Sequence, residues 1–413
     1  MNKLIMFTDC YPYRPGGSFV ANEMAYLCKN YDEIVLITTI SKGENILYEV
    51  PTNVVLLPLY CINYKIEKLK AMEKGVKLLF KTNEEWNLTK TITEPSIKKK
   101  LYFCYIKALA EIRYSQCVKA LDNIVVSNND TITLYTYWFH YMNHVAIKLK
   151  QNIFKNALVV SRAHGGDLFE DRYPLGFSPL KKYCVKNSDR VFSCSRMGER
   201  YLKNLFPEYA NKISFSYLGT NDYGLNFQQK GLKFRLLSCS SLTTVKRIDL
   251  IIKALSCLSG KDIKLEWIHF GDGELKASLT EFAKKYIPNN VSYRFMGEVT
   301  NMDLMDYYKN NYVDMFINLS SSEGIPVSIM EAMSFGIPVI ATDVGGTREL
   351  VDKDSGYLVS KDINPEEISN IIFNYHTLSQ TEIMLKRVNS RNNWARNFSA
   401  EANYNDFVKN KLR

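Results

Sequence analysis

The sequence contains no apolar run near the ~18 residues that a membrane-spanning helix requires, so such a helix is excluded. Its nine cysteines form no Cys-x-x-Cys pair and take no metal-ligand spacing. Cys10, Cys61, Cys104, Cys117, Cys184, Cys194, Cys239 and Cys257 stand mostly in apolar surroundings, as reduced core thiols do. Histidine is scarce, 5 in 413 residues, and no internal repeat or low-complexity segment is present. The stretch from Lys3 to Thr8 is too short for a secretory leader and leads directly into a turn, so a cytosolic protein is expected.

What the sequence does have is apolar material in ordinary amount, 46 % hydrophobic and 13 % aromatic, which excludes disorder as the main state. A length of 413 residues predicts two or three domains. The net charge of +10 suggests an anionic partner: nucleic acid, anionic lipid or a phosphorylated substrate. That charge is unevenly spread. Residues 61–120 hold 13 Lys/Arg against 6 Asp/Glu, whereas residues 241–413 are slightly acidic.

Short apolar runs at 4–7, 33–39, 131–135, 157–161, 191–193, 235–239, 264–270, 291–295, 313–319 and 338–342 alternate with amphipathic stretches. Buried runs separated by helices are the mark of parallel sheets covered on both faces, so two doubly wound α/β domains are expected. The boundary is expected in the polar, turn-rich segment 219–233. Segment 61–120 breaks the rhythm. Ile62, Ile66, Leu69, Met72, Val76 and Leu79 recur at helical spacing among Lys65, Lys68, Lys70, Lys74, Lys77 and Lys81. A second helix reads from Ile97 through Ile112, with Lys98, Lys99, Lys100, Lys107 and Arg113. Two such helices either pack on the first sheet as surface helices or lie on an anionic membrane; nucleic acid is the weakest of the three readings.

The sharpest local pattern runs Ser321-Ser322-Glu323-Gly324-Ile325-Pro326-Val327-Ser328-Ile329-Met330-Glu331. A strand ends in a small polar loop, and Pro326 suits the first position of a helix, where its missing N–H costs nothing. The amides of Val327, Ser328 and Ile329 would then open from the helix N-terminus as an anion site. Two carboxylates beside a phosphate site suit sugar hydroxyls, from which each can accept two hydrogen bonds. The combination predicts a nucleotide-sugar.

Glu-x7-Glu followed by Ala332-Met333-Ser334-x-Gly336-x-Pro338-Val339-Ile340-Ala341-Thr342 resembles the signature of glycosyltransferase family 4. The resemblance implies the GT-B fold, an α/β architecture of two Rossmann-like doubly wound domains facing a central cleft, and a retaining, metal-independent enzyme of the bacterial capsule or exopolysaccharide type. It implies an acceptor-binding domain at 1–222 carrying the basic helical insert, a donor-binding domain at 234–390, and a C-terminal helix at 391–413 that crosses back. Glu331 would bind the donor ribose, Glu323 the transferred sugar, and the amides of Val327 and Ser328 the diphosphate.

Other positions resemble the family in order. Arg162-Ala163-His164-Gly165-Gly166 follows a strand, and the resemblance assigns His164 to the donor sugar and reacting centre. His140, His144, His269 and His376 lack that context and are expected to be structural. Pro15-Gly16-Gly17 follows the first strand, where the family's glycines let the backbone approach the donor phosphate. In Ser241-Leu242-Thr243-Thr244-Val245-Lys246-Arg247-Ile248-Asp249, Lys246 matches the lysine that neutralises the leaving diphosphate. Ser241 replaces the family arginine and Arg247 its glycine, so Arg247 either enters the phosphate clamp or leaves it to Lys246 and the helix amides. Gly271-Asp272-Gly273 resembles a strand-closing loop, and the loop at Gly297 resembles the one holding the base. Asp352-Lys353-Asp354 has the Asp-x-Asp form of metal-nucleotide sites but reads as a solvated turn.

The expected reaction moves a hexose from a UDP- or GDP-sugar, which is a substrate, to a glycan acceptor, lipid-linked by analogy with relatives. His164, Glu323 and Lys246 would be catalytic, with domain closure over the donor and no cofactor or metal. A cytoplasmic enzyme resting on the inner face of the cell membrane fits the charge. A storage-sugar synthase or phosphorylase ranks second, and a non-catalytic glycan- or nucleic-acid-binding protein third.

Overall fold

The computed structural model describes residues 1–9, 11–14, 17–41, 43–61, 64–80, 84–122, 124, 127, 129–225 and 228–413. Gly16, together with Cys10, Pro15, Ile62 and Lys81, therefore lies outside the described residues. The chain divides into two compact units, Met1–Tyr217 with Tyr404–Arg413, and Leu218–Asn403.

The first unit is built on a parallel sheet of seven strands: β1 (Asn2–Thr8), β2 (Glu33–Ser41), β3 (Val54–Cys61), β4 (Thr131–Thr136), β5 (Leu158–Ala163), β6 (Arg190–Ser193) and β7 (Ile213–Phe215). Their spatial order is β3-β2-β1-β4-β5-β6-β7. Because alternate residues of a strand face opposite sides, the continuous run Leu4-Ile5-Met6-Phe7 supplies two cores at once. Ile5 and Phe7 join Val35, Ile37 and Leu134 on one face. Leu4 and Met6 join Ile34, Leu36 and Tyr135 on the other, where Phe407, Val408 and Leu412 of the C-terminal segment complete the layer. The return of the chain to the first unit thus begins at Tyr404, later than the 391 expected.

The second unit repeats the plan with six parallel strands: β8 (Phe234–Cys239), β9 (Leu265–Phe270), β10 (Val291–Phe295), β11 (Met315–Asn318), β12 (Val339–Thr342) and β13 (Gly356–Val359). The order is β10-β9-β8-β11-β12-β13. Both sheets wind outward in two directions, so each has a switch point: between β1 and β4 in the first, between β8 and β11 in the second. Ligands of open α/β sheets bind in the crevice at the carboxyl ends of the strands beside such a point. Of the thirteen described strands, β3, β7 and β13 were not anticipated from sequence, and all three are edge strands.

The basic segment forms helices Tyr64–Leu79, Glu84–Thr89 and Ile97–Leu121 between β3 and β4. The long last helix starts where Ser96 caps it, its side chain accepting from the Lys99 amide at 3.2 Å. Arg113, buried in its middle, holds Glu67 of the first helix bidentately at 3.1 and 2.7 Å. Among the described residues no helix is long and apolar enough to cross a membrane.

Candidate functional site

In the second unit the carboxyl ends of the strands gather most of the residues singled out from the sequence. β8 runs into a short 3-10 turn, Thr244–Lys246, and β11 into the loop carrying Glu323. These are the two strands that flank the switch point. The loops are tied together there: Ser321 donates its amide to the Val245 carbonyl at 2.8 Å. Lys246 Nζ then meets Glu323 Oε1 at 2.7 Å, with both side chains largely covered. Asn318, at the end of β11, donates weakly to the same oxygen at 3.4 Å and accepts from the Ser320 amide. Glu323 is therefore oriented by two donors from two elements.

The helix after this loop spans Val327–Ser334. Pro326 has φ −77° and ψ 108°, so it is the residue before the helix rather than its first turn, a correction of one position. No side chain caps this helix, and its first turn holds no acid. Among the described residues the amides of Val327 and Ser328 take no hydrogen-bond partner. That of Ile329 donates to the Pro326 carbonyl at 3.2 Å. Glu331 lies one turn further along and is 6 % exposed. Burial pushes its carboxyl up to about 7, against the pull of Asn301, whose Nδ2 donates to Oε1 at 2.6 Å. A carboxylate held that dry keeps lone pairs ready for hydroxyl donors that would lower its cost of ionisation.

Two glycines shape the rim. Gly345 has φ +58°, and a Cβ there would stand 1.8 Å from the Glu323 carbonyl oxygen, so only glycine lets the loop after β12 press on the Glu323 loop. Gly297 has φ +76°, and its carbonyl accepts from the Gly271 amide at 2.8 Å, closing the loop that follows β10 against the one that follows β9. Arg247 also adopts a left-handed conformation, φ +51° and ψ 44°, which accounts for glycine being usual at such a position. Its guanidinium donates to the Lys361 carbonyl at 2.8 Å, so Lys246, not Arg247, is the cation on Glu323 among the described residues. Asp352 is spent on its own turn, accepting from the amides of Asp354 and Ser355 and from the Ser355 hydroxyl.

In the first unit His164 follows β5 as the residue before a short helix, Gly165–Leu168. The ring stacks on Tyr137 at 4.7 Å and leans on Trp138 at 4.5 Å. It is 8 % exposed, and among the described residues neither ring nitrogen has a hydrogen-bond partner, although Nδ1 lies 4.0 Å from Asp167 Oδ2. Burial, helped by Arg162, holds its pKa well below the usual value, so the ring is neutral. Buried polar atoms without partners are rare and ask for a ligand. The His164 backbone is fixed by Asp167, whose two oxygens accept from the amides of His164 at 2.5 Å and Phe139 at 2.6 Å. Gly17 precedes helix Ser18–Leu27, which has no side-chain cap.

Sequence reasoning missed three participants. Asn301 lies thirty positions from Glu331 and carries no local signal. Gly345-Gly346 follows a strand just as Gly16-Gly17 does, so its signal was present. His140, expected to be structural, bonds Asp9 Oδ2 at 2.8 Å across the β1/β4 switch point. His144, almost one turn inside the next helix, meets half-buried Glu85, and His269 bonds Ser238 and the Ser240 carbonyl; these two are structural.

The fold is GT-B: two parallel-sheet α/β units of Rossmann type. Anabaena HepE in complex with UDP and glucose aligns over 100 % of this chain and 99 % of its own with a TM-score of 0.64 at 14 % identity. Residues 226–394 match the family Glycosyl transferases group 1, so the second unit carries a domain of that family. The GtfA subunit of a UDP-N-acetylglucosamine–peptide N-acetylglucosaminyltransferase from Streptococcus agalactiae is 32 % identical over 62 % of this chain and 51 % of its own. The O-antigen biosynthesis glycosyltransferase WbnH of Escherichia coli is 33 % identical over 44 % of this chain and 50 % of its own. The chain thus spans about half the length of these curated relatives.

Proposed function

We propose that the protein is a retaining glycosyltransferase of family 4 that moves a hexose from a nucleoside diphosphate sugar to a lipid-linked glycan during surface polysaccharide synthesis. The observation that carries this reading is the Lys246–Glu323 pair at the β8/β11 switch point, beside an uncapped helix N-terminus and the buried Glu331. A cation and open amides suit a diphosphate; carboxylates suit the hydroxyls of the sugar and ribose. The names of relatives that mention uridine nucleotides put UDP-sugars ahead of GDP-sugars.

In this reading the sugar–phosphate bond breaks as the diphosphate departs. Lys246 leaves Glu323 for the developing phosphate charge, and the amides of Val327 and Ser328 hold the same anion. Glu323, freed of its lysine, accepts from the transferred sugar, and Glu331 accepts from the ribose. His164, neutral and unpartnered, orients sugar hydroxyls. Arg247 would join the clamp only by giving up the Lys361 carbonyl. The acceptor attacks from the face of departure, and its proton passes to the diphosphate, so the step needs neither a metal nor a dedicated base. The enzyme works at the inner face of the cell membrane, where its acceptor lies.

The test is nucleotide release from a panel of UDP- and GDP-sugars by the wild type and by Lys246→Ala and Glu331→Ala. Release that depends on both residues is expected. A protein that releases no nucleotide from any donor, or variants with unchanged rate and donor affinity, would overturn the reading.

A further inference from the structure

Helix Tyr64–Leu79 is amphipathic the wrong way round for a helix packed on a protein. Toward the helix Ile97–Leu121 its covered face is small or polar: Glu67 reaches buried Arg113, Ala71 is fully buried, and Gly75 lies so close that a Cβ would stand 3.2 Å from the backbone of Cys104 and Tyr105, while Leu78 and Leu79 at its C-terminal end are half-buried against the first core. The solvent face carries the apolar row instead. Ile66 is 47 % exposed, Leu69 65 %, Met72 51 %, Val76 52 %, and Phe80, just past the helix, 88 %. Residues at these three- and four-residue steps line one face. Glu67 against Arg113 and Gly75 against Cys104 make the two helices antiparallel, which brings exposed Ile97 and Leu101 alongside the Phe80 end. An ordinary surface helix would turn this row inward.

The exposed charges beside the row are mostly lysines. Lys65, Lys68, Lys70 and Lys77 are exposed, and so is Lys98 on the neighbouring helix. Among the described residues of this helix the exposed acid is Glu73, and Lys77 pairs with it at 2.8 Å. Nucleic acid would have use for the lysines but none for a row of aliphatic side chains. A bilayer with anionic headgroups has use for both, because acyl chains take the apolar row while the lysines stay at headgroup level.

We infer that this helix lies in the plane of an anionic membrane surface with Ile66, Leu69, Met72, Val76 and Phe80 inserted below the headgroups. The inference rests on the reading of the protein as a peripheral membrane enzyme and adds the mode: shallow apolar insertion, not charge attraction alone.

Flotation of the full chain with phosphatidylglycerol vesicles and with phosphatidylcholine vesicles, at low and at high salt, tests it. The wild type is expected to float with the anionic vesicles and to retain part of that binding at high salt. Leu69→Glu and Val76→Glu, both at exposed positions, are expected to lower binding by about tenfold or more, since each withdraws one inserted side chain. Lys68→Ser with Lys70→Ser should remove mainly the salt-sensitive part. Binding that disappears at high salt and is unchanged in Leu69→Glu overturns the inference. So does a wild type that is dimeric by light scattering, becomes monomeric in Leu69→Glu and never floats, since the row would then be a self-association face. Nucleotide release measured on the same Leu69→Glu protein separates the two readings: loss of flotation with donor turnover intact concerns only the membrane, and absence of turnover in a wild type that floats concerns only the chemistry.

Discussion

The two sheets wind alike and put a crevice at the same topological place, yet the crevices hold different chemistry. In the second unit the β8/β11 point holds a lysine paired with a glutamate, an uncapped helix and a buried acid with its own asparagine. In the first, the β1/β4 point holds Asp9 against His140, with the His164 ring on its two aromatic neighbours after β5. The tautomer of His140 follows from its bonds. Nδ1 accepts from the Met142 amide, so the proton of the neutral ring lies on Nε2 and is donated to Asp9. Burial opposes charge on this ring, yet the nearby carboxylate raises its pKa overall. In the proposed reading one crevice takes an anion with hydroxyls and the other neutral hydroxyl groups. The lesson is that topology supplies the place and side chains supply the ligand class.

The most damaging way to break this contrast is to remove the lysine held at the second switch point. Lys246→Ala is expected to cut turnover by roughly 100- to 1,000-fold, the usual loss when a donor to a developing oxyanion is deleted. It should cost roughly 1–3 kcal/mol in stability, because it leaves the largely covered Glu323 carboxylate with the weak Asn318 donor. Steady-state nucleotide release and thermal melting check both halves.

Next comes His164→Ala, expected to lower kcat by roughly 10- to 100-fold with little change in donor affinity. Because the folded ring stays neutral, the wild-type pH profile should show no imidazole inflection near 6.5. An inflection there that vanishes in His164→Ala would contradict a neutral, orienting role.

Glu331→Gln separates function from stability. The folded carboxyl titrates near 7 and the unfolded one at 4.5. The folded state therefore binds the proton more tightly, so its stability from this group rises as pH falls through 7 and is lost again above it. At pH 8 the wild type bears the full cost of a buried charge, and Glu331→Gln is expected to be more stable by roughly 1–3 kcal/mol. The difference should fade by about pH 4.5, while donor affinity drops about tenfold at neutral pH. Chemical denaturation across pH measures the first, donor titration the second.

Smaller effects sharpen the contrast. Asp9→Asn is expected to slow transfer to acceptor by about tenfold while leaving donor hydrolysis unchanged, assayed with and without acceptor. Arg247→Gly should gain up to about 1 kcal/mol by relieving the left-handed backbone; a loss of that size would mean the Lys361 bond outweighs the strain.

Legibility of the fold followed burial. The central strands are continuous apolar runs because both faces are covered, and they were read as strands. β3 mixes half-buried and exposed positions around Pro58, β7 has three residues, and β13 begins at Gly356 with its middle half-exposed. Each has a strand neighbour on one side alone, so no long apolar run is required of it. In the site, Glu323, Val327, Ser328 and Glu331 are set close together by one loop and one helix start, whereas Lys246 stands on a separate loop after β8 and was singled out by resemblance. Asn301 and His140 were not legible, since each acquires its partner only when distant strands are laid side by side.

The sequence by itself determined the alternation of buried runs and helices, the strand–loop–helix of Glu323 and Glu331, and the basic helices of segment 61–120. These depend on spacing along one stretch of chain, which periodicity and turn chemistry report directly. Tertiary structure alone decided that Lys246 meets Glu323, that Glu331 is dry enough to titrate near 7, and that Asp9 meets His140. It also decided that Ala71 and Gly75, not the row Ile66 to Phe80, face the neighbouring helix. Pairing across a sheet and the choice of which helix face is covered depend on what the rest of the chain brings alongside, and no local pattern carries that.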